Sequence, residues 1–185
     1  MMNTAQRAAT GIWVILSLVA FVSPTETTWT IADDYEVHFS GSGAEGTFRG
    51  LTGTLVFDPE APEQARFDVA VDARTIDTGN NTKDKHARGE SWFDVEQYPE
   101  IRYRSSRIES TDDGYRATGL LTLHGVEKEV SFPFTFTPQG EGAVFEGGFT
   151  VDRQEFGIKG PFFGFVVGDE FTVTLRVPVQ LMSDE

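Results

Sequence analysis

The sequence predicts an all-β protein of eight antiparallel strands with one short helical connection. Three observations carry this. Apolar and polar residues alternate over most of the chain beyond residue 28, turn-forming residues separate the alternating runs, and 16 phenylalanines supply a large apolar interior with few polar groups to satisfy. Period-two alternation gives a strand with one dry face.

The elements follow in order. Arg7 precedes the apolar run from Gly11 to Val22, and a polar stretch runs from Ser23 to Thr28. That order resembles a secretory signal, and the run is short for a comfortable membrane span. Residues 1–23 are therefore expected to be a secretory signal, or an N-terminal anchor if uncleaved, and 28–182 a single folded domain. Alternation then marks strands around Tyr35, Val37 and Phe39; Leu51, Leu55 and Phe57; Phe67, Val69 and Val71; and Ile101 and Tyr103. It continues through Tyr115, Ala117, Leu121 and Leu123; Val130 to Phe136; Phe145, Phe149 and Val151; and Phe171 to Leu181. Asp58-Pro59, Asp112-Asp113-Gly114, Gly140-Glu141-Gly142 and Gly168-Asp169 supply turns, so neighbouring strands pair antiparallel. Thr78 to Tyr98 is too long and polar for a hairpin, and Thr82 to Glu90 suits a short helix. Pro133 and Pro178 fall inside strand patterns, where a missing N–H points to an edge, bulge or seam. Eight strands fit either a sandwich or a closed barrel, and a barrel of that size holds its own side chains or one small ligand.

Composition removes several functions. A net charge of -14 opposes phosphate contacts, so nucleic acid is excluded as a partner and anionic lipid surfaces are disfavoured. The absence of cysteine excludes disulfides, thiolate nucleophiles and Cys-based zinc sites. No Gly-x-Ser-x-Gly, His-Glu-x-x-His or Gly-x-x-x-x-Gly-Lys pattern occurs, and adjacent acids such as Asp33-Asp34 point to opposite faces of a strand. No catalytic residue, metal site or cofactor is expected. His38, His86 and His124 share no ligand-like spacing. His86, near Asp84, Arg88 and Asp94, is expected to tie the long connection to the sheet by hydrogen bonds.

Four ordered blocks carry a family resemblance. They are Gly46-Thr-Phe48 to Asp58; Ile76-Asp-Thr78 with Lys83-Asp84-Lys85-His86, Trp92-Phe93-Asp94 and Tyr98-Pro99; Gly119 to Lys128 around His124-Gly125; and Asp152-Arg153 with Phe156-Gly157-Ile158. Together, from Trp29 to Leu181, they resemble the YceI-like, polyisoprenoid-binding family. Three positions depart from that pattern: Asp33-Asp34-Tyr35 stands where a His-Ser pair is usual, Ala87 replaces a leucine and Glu127 a threonine. The resemblance implies an eight-stranded lipocalin-like barrel, export to the bacterial periplasm, and non-catalytic binding or transport of a long amphiphilic lipid such as a polyisoprenoid or prenyl quinone. The partner it implies is a hydrophobic lipid, with transient contact to a membrane or membrane protein; a dimer stays open. Two other readings compete: a structural or stress-related barrel filled by its own phenylalanines, and a hydrolase or isomerase acting on a lipid.

Positions on the apolar side of the alternation are the candidate lipid cavity: Val37, Phe39, Phe48, Leu55, Phe67, Val69, Tyr103, Leu121, Phe132, Phe134, Phe149 and Val173. Trp92 and Phe93 either line that cavity or anchor the connection. From Arg153 to Asp169, apolar residues including Phe156, Phe162, Phe163 and Phe165 alternate with glycines, which suits a greasy gate or a plug. Arg153 is the candidate headgroup contact, with an ordinary ion pair as the competing role.

Overall fold

The computed structural model describes residues 26–160 and 167–182. Nine strand segments pair antiparallel: β1 (Thr28–Ile31), β2 (Glu36–Gly41), β3 (Ala44–Val56), β4 (Arg66–Asp77), β5 (Glu100–Thr111), β6 (Gly114–Leu123), β7 (Val126–Gln139), β8 (Gly142–Asp152) and β9 (Glu170–Leu181). A helix, α1 (Asn81–Arg88), lies between β4 and β5. Each strand from β3 to β9 pairs with the next, and β2 joins β3 to β9, so the sheet closes into a barrel. β1 and β2 share one stave of that barrel. Trp29 faces Leu55 and Leu181, while Val37 faces Phe48 and Leu175, so both segments run the same way between the same neighbours. Eight staves therefore close the wall. β1 escapes the sequence reading because Thr28–Ile31 is too short to display alternation.

Of the three strand prolines, Pro138 lies near the β7–β8 turn, and Pro133 and Pro178 sit where a ladder is interrupted. Pro178 falls opposite the break between β1 and β2, where the Ala32 N–H donates to its carbonyl at 2.9 Å. Pro133 marks a seam: β7 pairs with β8 only from Phe134 onward, against Gly147, and the preceding part of β7 separates from Gly148–Asp152. A residue without an N–H is tolerated at such places. The β6–β7 hairpin turns on His124 (φ 52°) and Gly125 (φ 73°) between the paired Leu123 and Val126. Two successive positive φ values make the turn whose twist matches the flanking strands. A side chain at 125 would also strike Tyr98, whose ring carbon lies 2.5 Å from where a Cβ would stand.

The end of the barrel opposite α1 is packed solid. Phe57 is fully buried, and the rings of Phe67, Tyr115, Phe134, Phe136 and Phe145 surround it with centroids 4.9–6.3 Å away. Their tilted and edge-on contacts are the arrangement ring quadrupoles favour, each worth about 0.5–1.5 kcal/mol beyond area burial. Trp29 closes the layer, donating from Nε1 to the Phe57 carbonyl at 2.8 Å while its ring meets Phe136.

Candidate functional site: a lumen open at the helix end

Above that aromatic layer the barrel is hollow. A cavity of about 830 Å³ is walled by the inward residues of β2 to β9 and opens beside α1. Val37, Phe39, Phe48, Leu55, Phe67, Val69, Tyr103, Leu121, Phe132, Phe134, Phe149 and Val173 all face it. So do residues the sequence reading left out, among them Leu51, Val71, Ile76, Ile101, Leu123, Phe145, Leu175 and Val177. Most of these continue the same alternation and were findable from it. Ile76 was not, because the register of β3 against β4 shifts twice around Arg49. Tyr103 brings a hydroxyl to the wall; it donates to the Val130 carbonyl at 3.4 Å. Burial pushes that phenol upward, so it stays neutral.

The mouth is polar. Thr78, Asn80, Thr82, Lys83, Lys85, His86, Glu90 and Ser91 rim it, with Trp92 and Phe93 reaching inward. α1 carries this rim, and its position follows from local chemistry. The Asn80 side chain accepts from the Thr82 and Lys83 N–H groups at 3.0 and 3.1 Å, capping the helix. Asp84, 5% exposed, turns back to accept from the Thr78 N–H at 2.8 Å and hydroxyl at 2.6 Å. Those hydrogen bonds hold its carboxyl below the usual range, against the opposing effect of burial and with help from the Arg88 charge. Arg88 donates to the Arg74 and Ile76 carbonyls, both at 2.7 Å.

Here the expectation for His86 is corrected. Asp84 and Arg88 tie the connection to β4, whereas the His86 side chain makes no hydrogen bond among the described residues and stands exposed at the mouth. Helical spacing explains this: positions 84 and 88, four apart, share the face turned to β4.

Trp92 and Phe93 both line the lumen, and Phe93 also packs edge-on against Phe48 at 5.7 Å. Anchoring and lining are thus one role. The turn after them is set by Asp94 (φ 45°), whose carbonyl accepts from Gln97 and Tyr98.

Two further expectations are corrected. Phe156 does not line the lumen: it is buried in the same core cluster as Leu123, Phe132 and Ile158, and lines a smaller hollow at the β7–β8 seam with Val130, Pro133 and Phe149. The 3-10 turn Arg153–Phe156 places it beyond the end of β8, and His124 Nδ1–H donates to its carbonyl at 3.2 Å. Arg153 reaches the lumen wall, yet its guanidinium is already engaged. It donates to the carbonyls of Ile158 (2.6 Å), Gly168 (3.0 Å) and Val167 (3.5 Å), pairs with Asp169 at 2.7 Å, and lies 5.2 Å over Trp92. It clasps the two ends of the 159–166 segment, and the ion pair wins over a headgroup contact. Phe162, Phe163 and Phe165 lie outside the described residues.

A greasy, dead-ended barrel lumen behind a helix carrying Lys83-Asp84-Lys85-His86 is a geometry with known relatives, and residues 23–179 match the YceI-like domain. The chain belongs to the YceI-like family. A UPF0312 protein of Pseudomonas savastanoi pv. phaseolicola is 35% identical over 136 residues, covering 69% of this chain and 71% of that one. A UPF0312 protein of Yersinia pestis is 31% identical over 127 residues, covering 65% and 66%. Among solved structures, BcnA of Burkholderia cenocepacia superimposes with a TM-score of 0.73 at 25% identity, over 78% of this chain and 95% of its own. A polyisoprenoid binding domain from Saccharophagus degradans shares the fold, with a TM-score of 0.65 at 11% identity over 85% and 100% of the two chains. Among the described residues of this YceI-like chain, no three His, Asp or Glu side chains are grouped to hold a metal ion.

Proposed function

We propose that this YceI-like protein binds a long-chain amphiphilic lipid of the polyisoprenoid or prenyl quinone class inside its barrel, without chemical change. The observation that carries this is the lumen: some 830 Å³ of apolar space, closed below by aromatic rings and open above at a polar rim. A chain enters tail first, and the headgroup stays at Lys83, Lys85, His86 and Ser91. If about ten methylene groups leave water, the gross gain is roughly 8 kcal/mol, the micromolar range before ordering costs are subtracted. Burial of the chain supplies affinity, and the rim supplies orientation. The name of the Saccharophagus degradans domain supports the ligand class. The signal-like order of residues 1–23 supports export to the periplasm, where a carrier shields a chain that water rejects.

The test is native mass spectrometry of protein purified without detergent, followed by solvent extraction. A prenyl or acyl lipid at one per protein is expected. An apo mass that stays apo after incubation with prenyl quinones and fatty acids would contradict the carrier reading and favour a purely structural barrel.

A further inference from the structure

The lumen has a floor, and the floor has a consequence for which chains fit. Phe67, Phe134 and Phe145 face the cavity, whereas Phe57, Tyr115 and Phe136, directly beneath them, do not. The three rings interlock at centroid distances of 5.5–6.0 Å, and Phe57, with no exposed surface, backs them. Nothing in that layer is loose enough to let a chain through, because close-packed rings yield only by losing contacts.

Depth and volume can then be compared. On β9, Phe171 stands at the mouth and Val177 at the floor, both facing the lumen. Six residues at about 3.3 Å each, tilted by roughly 40° to the barrel axis, give a depth of about 15 Å. A chain lying straight down that depth, at about 1.2 Å per bond, uses roughly 13 atoms. Yet at roughly 30 Å³ for a water-sized group, the 830 Å³ of the lumen and its rim has room for roughly 28. The lumen is therefore about twice as wide as one straight chain requires.

Resting on the lipid-binding reading above, we propose that the lumen is a two-lane slot of fixed depth. It takes one chain doubled back on itself, up to about five isoprene units, or two short chains side by side. Phe67, Phe134 and Phe145 set the limit. Longer chains leave their remainder outside the rim, where it gains nothing from the wall.

The experiment is a length series of prenyl alcohols from two to eight isoprene units, added to delipidated full-length protein and read by native mass spectrometry and calorimetry. Two-unit alcohols are expected to bind two per protein and four-unit alcohols one per protein. Affinity is expected to rise at least tenfold per unit up to about five units, because burying five carbons outweighs the cost of ordering them, and to change less than about twofold per unit beyond. Phe134→Ala removes a floor ring and moves the plateau to longer chains; Phe67→Leu, a milder change, moves it in the same direction if the first variant does not fold. One chain per protein at every length, or affinity climbing steadily to eight units, would overturn the two-lane slot while leaving lipid binding intact. Absence of binding at any length would overturn both readings.

Discussion

Asp84 is the residue on which the mouth depends. Its carboxylate is buried and serves both the N–H and the hydroxyl of Thr78, so removing it strands the N–H and leaves the hydroxyl only a 3.4 Å contact to the Asn80 carbonyl. Leaving buried groups unpartnered costs about 1–3 kcal/mol each. Asp84→Ala is expected to lower the melting temperature by several degrees, whereas His86→Ala, at an exposed rim position, stays within about 0.5 kcal/mol of wild type. Calorimetry of the two variants checks this. The pH dependence has a defined sign. The folded carboxyl titrates below its unfolded value near 3.9, so its contribution is complete above that pH and disappears as pH falls through the lower, folded value. Asp84→Asn, which keeps an acceptor but no charge, should flatten the acid limb of a stability profile below about pH 4. An unchanged acid limb would remove Asp84 from the account.

At the scale of elements, Arg153 joins what the chain separates. One guanidinium holds carbonyls at 158, 167 and 168 and the carboxylate of Asp169, fixing the point where β8 hands over to β9. Hydrogen bonds from a charged donor are worth more than neutral ones, so Arg153→Ala should cost roughly 2 kcal/mol or more. Arg153→Lys should restore little, since a point charge cannot serve a fan of carbonyls. Hydrogen exchange at the Ile158 and Gly168 amides should quicken in both variants while that of Phe57, in the packed layer, stays slow. Equal protection at all three sites in the variants would contradict the clasp. Which elements form was largely legible in the sequence. Val130 to Phe136 and Phe171 to Leu181 declare their faces by alternation alone, and Pro133 and Pro178 correctly marked breaks in the wall. The tie made by Asp84 and Arg88 was not legible. It needs α1 docked on β4, a contact no local pattern encodes, and proximity in sequence favoured His86 instead. Phe156 misled for a related reason: its apolar side chain is buried in the core, but beside the seam and not at the surface of the lumen, and burial alone does not tell the two apart.

At the scale of the whole molecule, the barrel divides its two tasks between its ends. The packed half around Phe57 supplies the ring contacts that hold the closed sheet, so the half beside α1 can remain hollow. Alternation said which residues point inward but not whether they meet across the axis. That depends on ring size at each level of the barrel and on the stagger between staves, which are properties of closure. A hollow half should also respond to what fills it: a ligand at a hundred times its dissociation constant adds about 2.7 kcal/mol to folding stability. The most direct test of a chain entering tail first is paramagnetic broadening in methyl-labelled protein loaded with a two-unit prenyl chain, short enough to lie straight in the slot, that carries a nitroxide at its far end. The Leu55 and Val177 methyls at the floor are expected to broaden more than that of Ala87 beside the mouth, and a headgroup label to reverse the pattern. Broadening of the outward-facing Leu120, or one pattern for both labels, would place the lipid elsewhere and contradict tail-first entry.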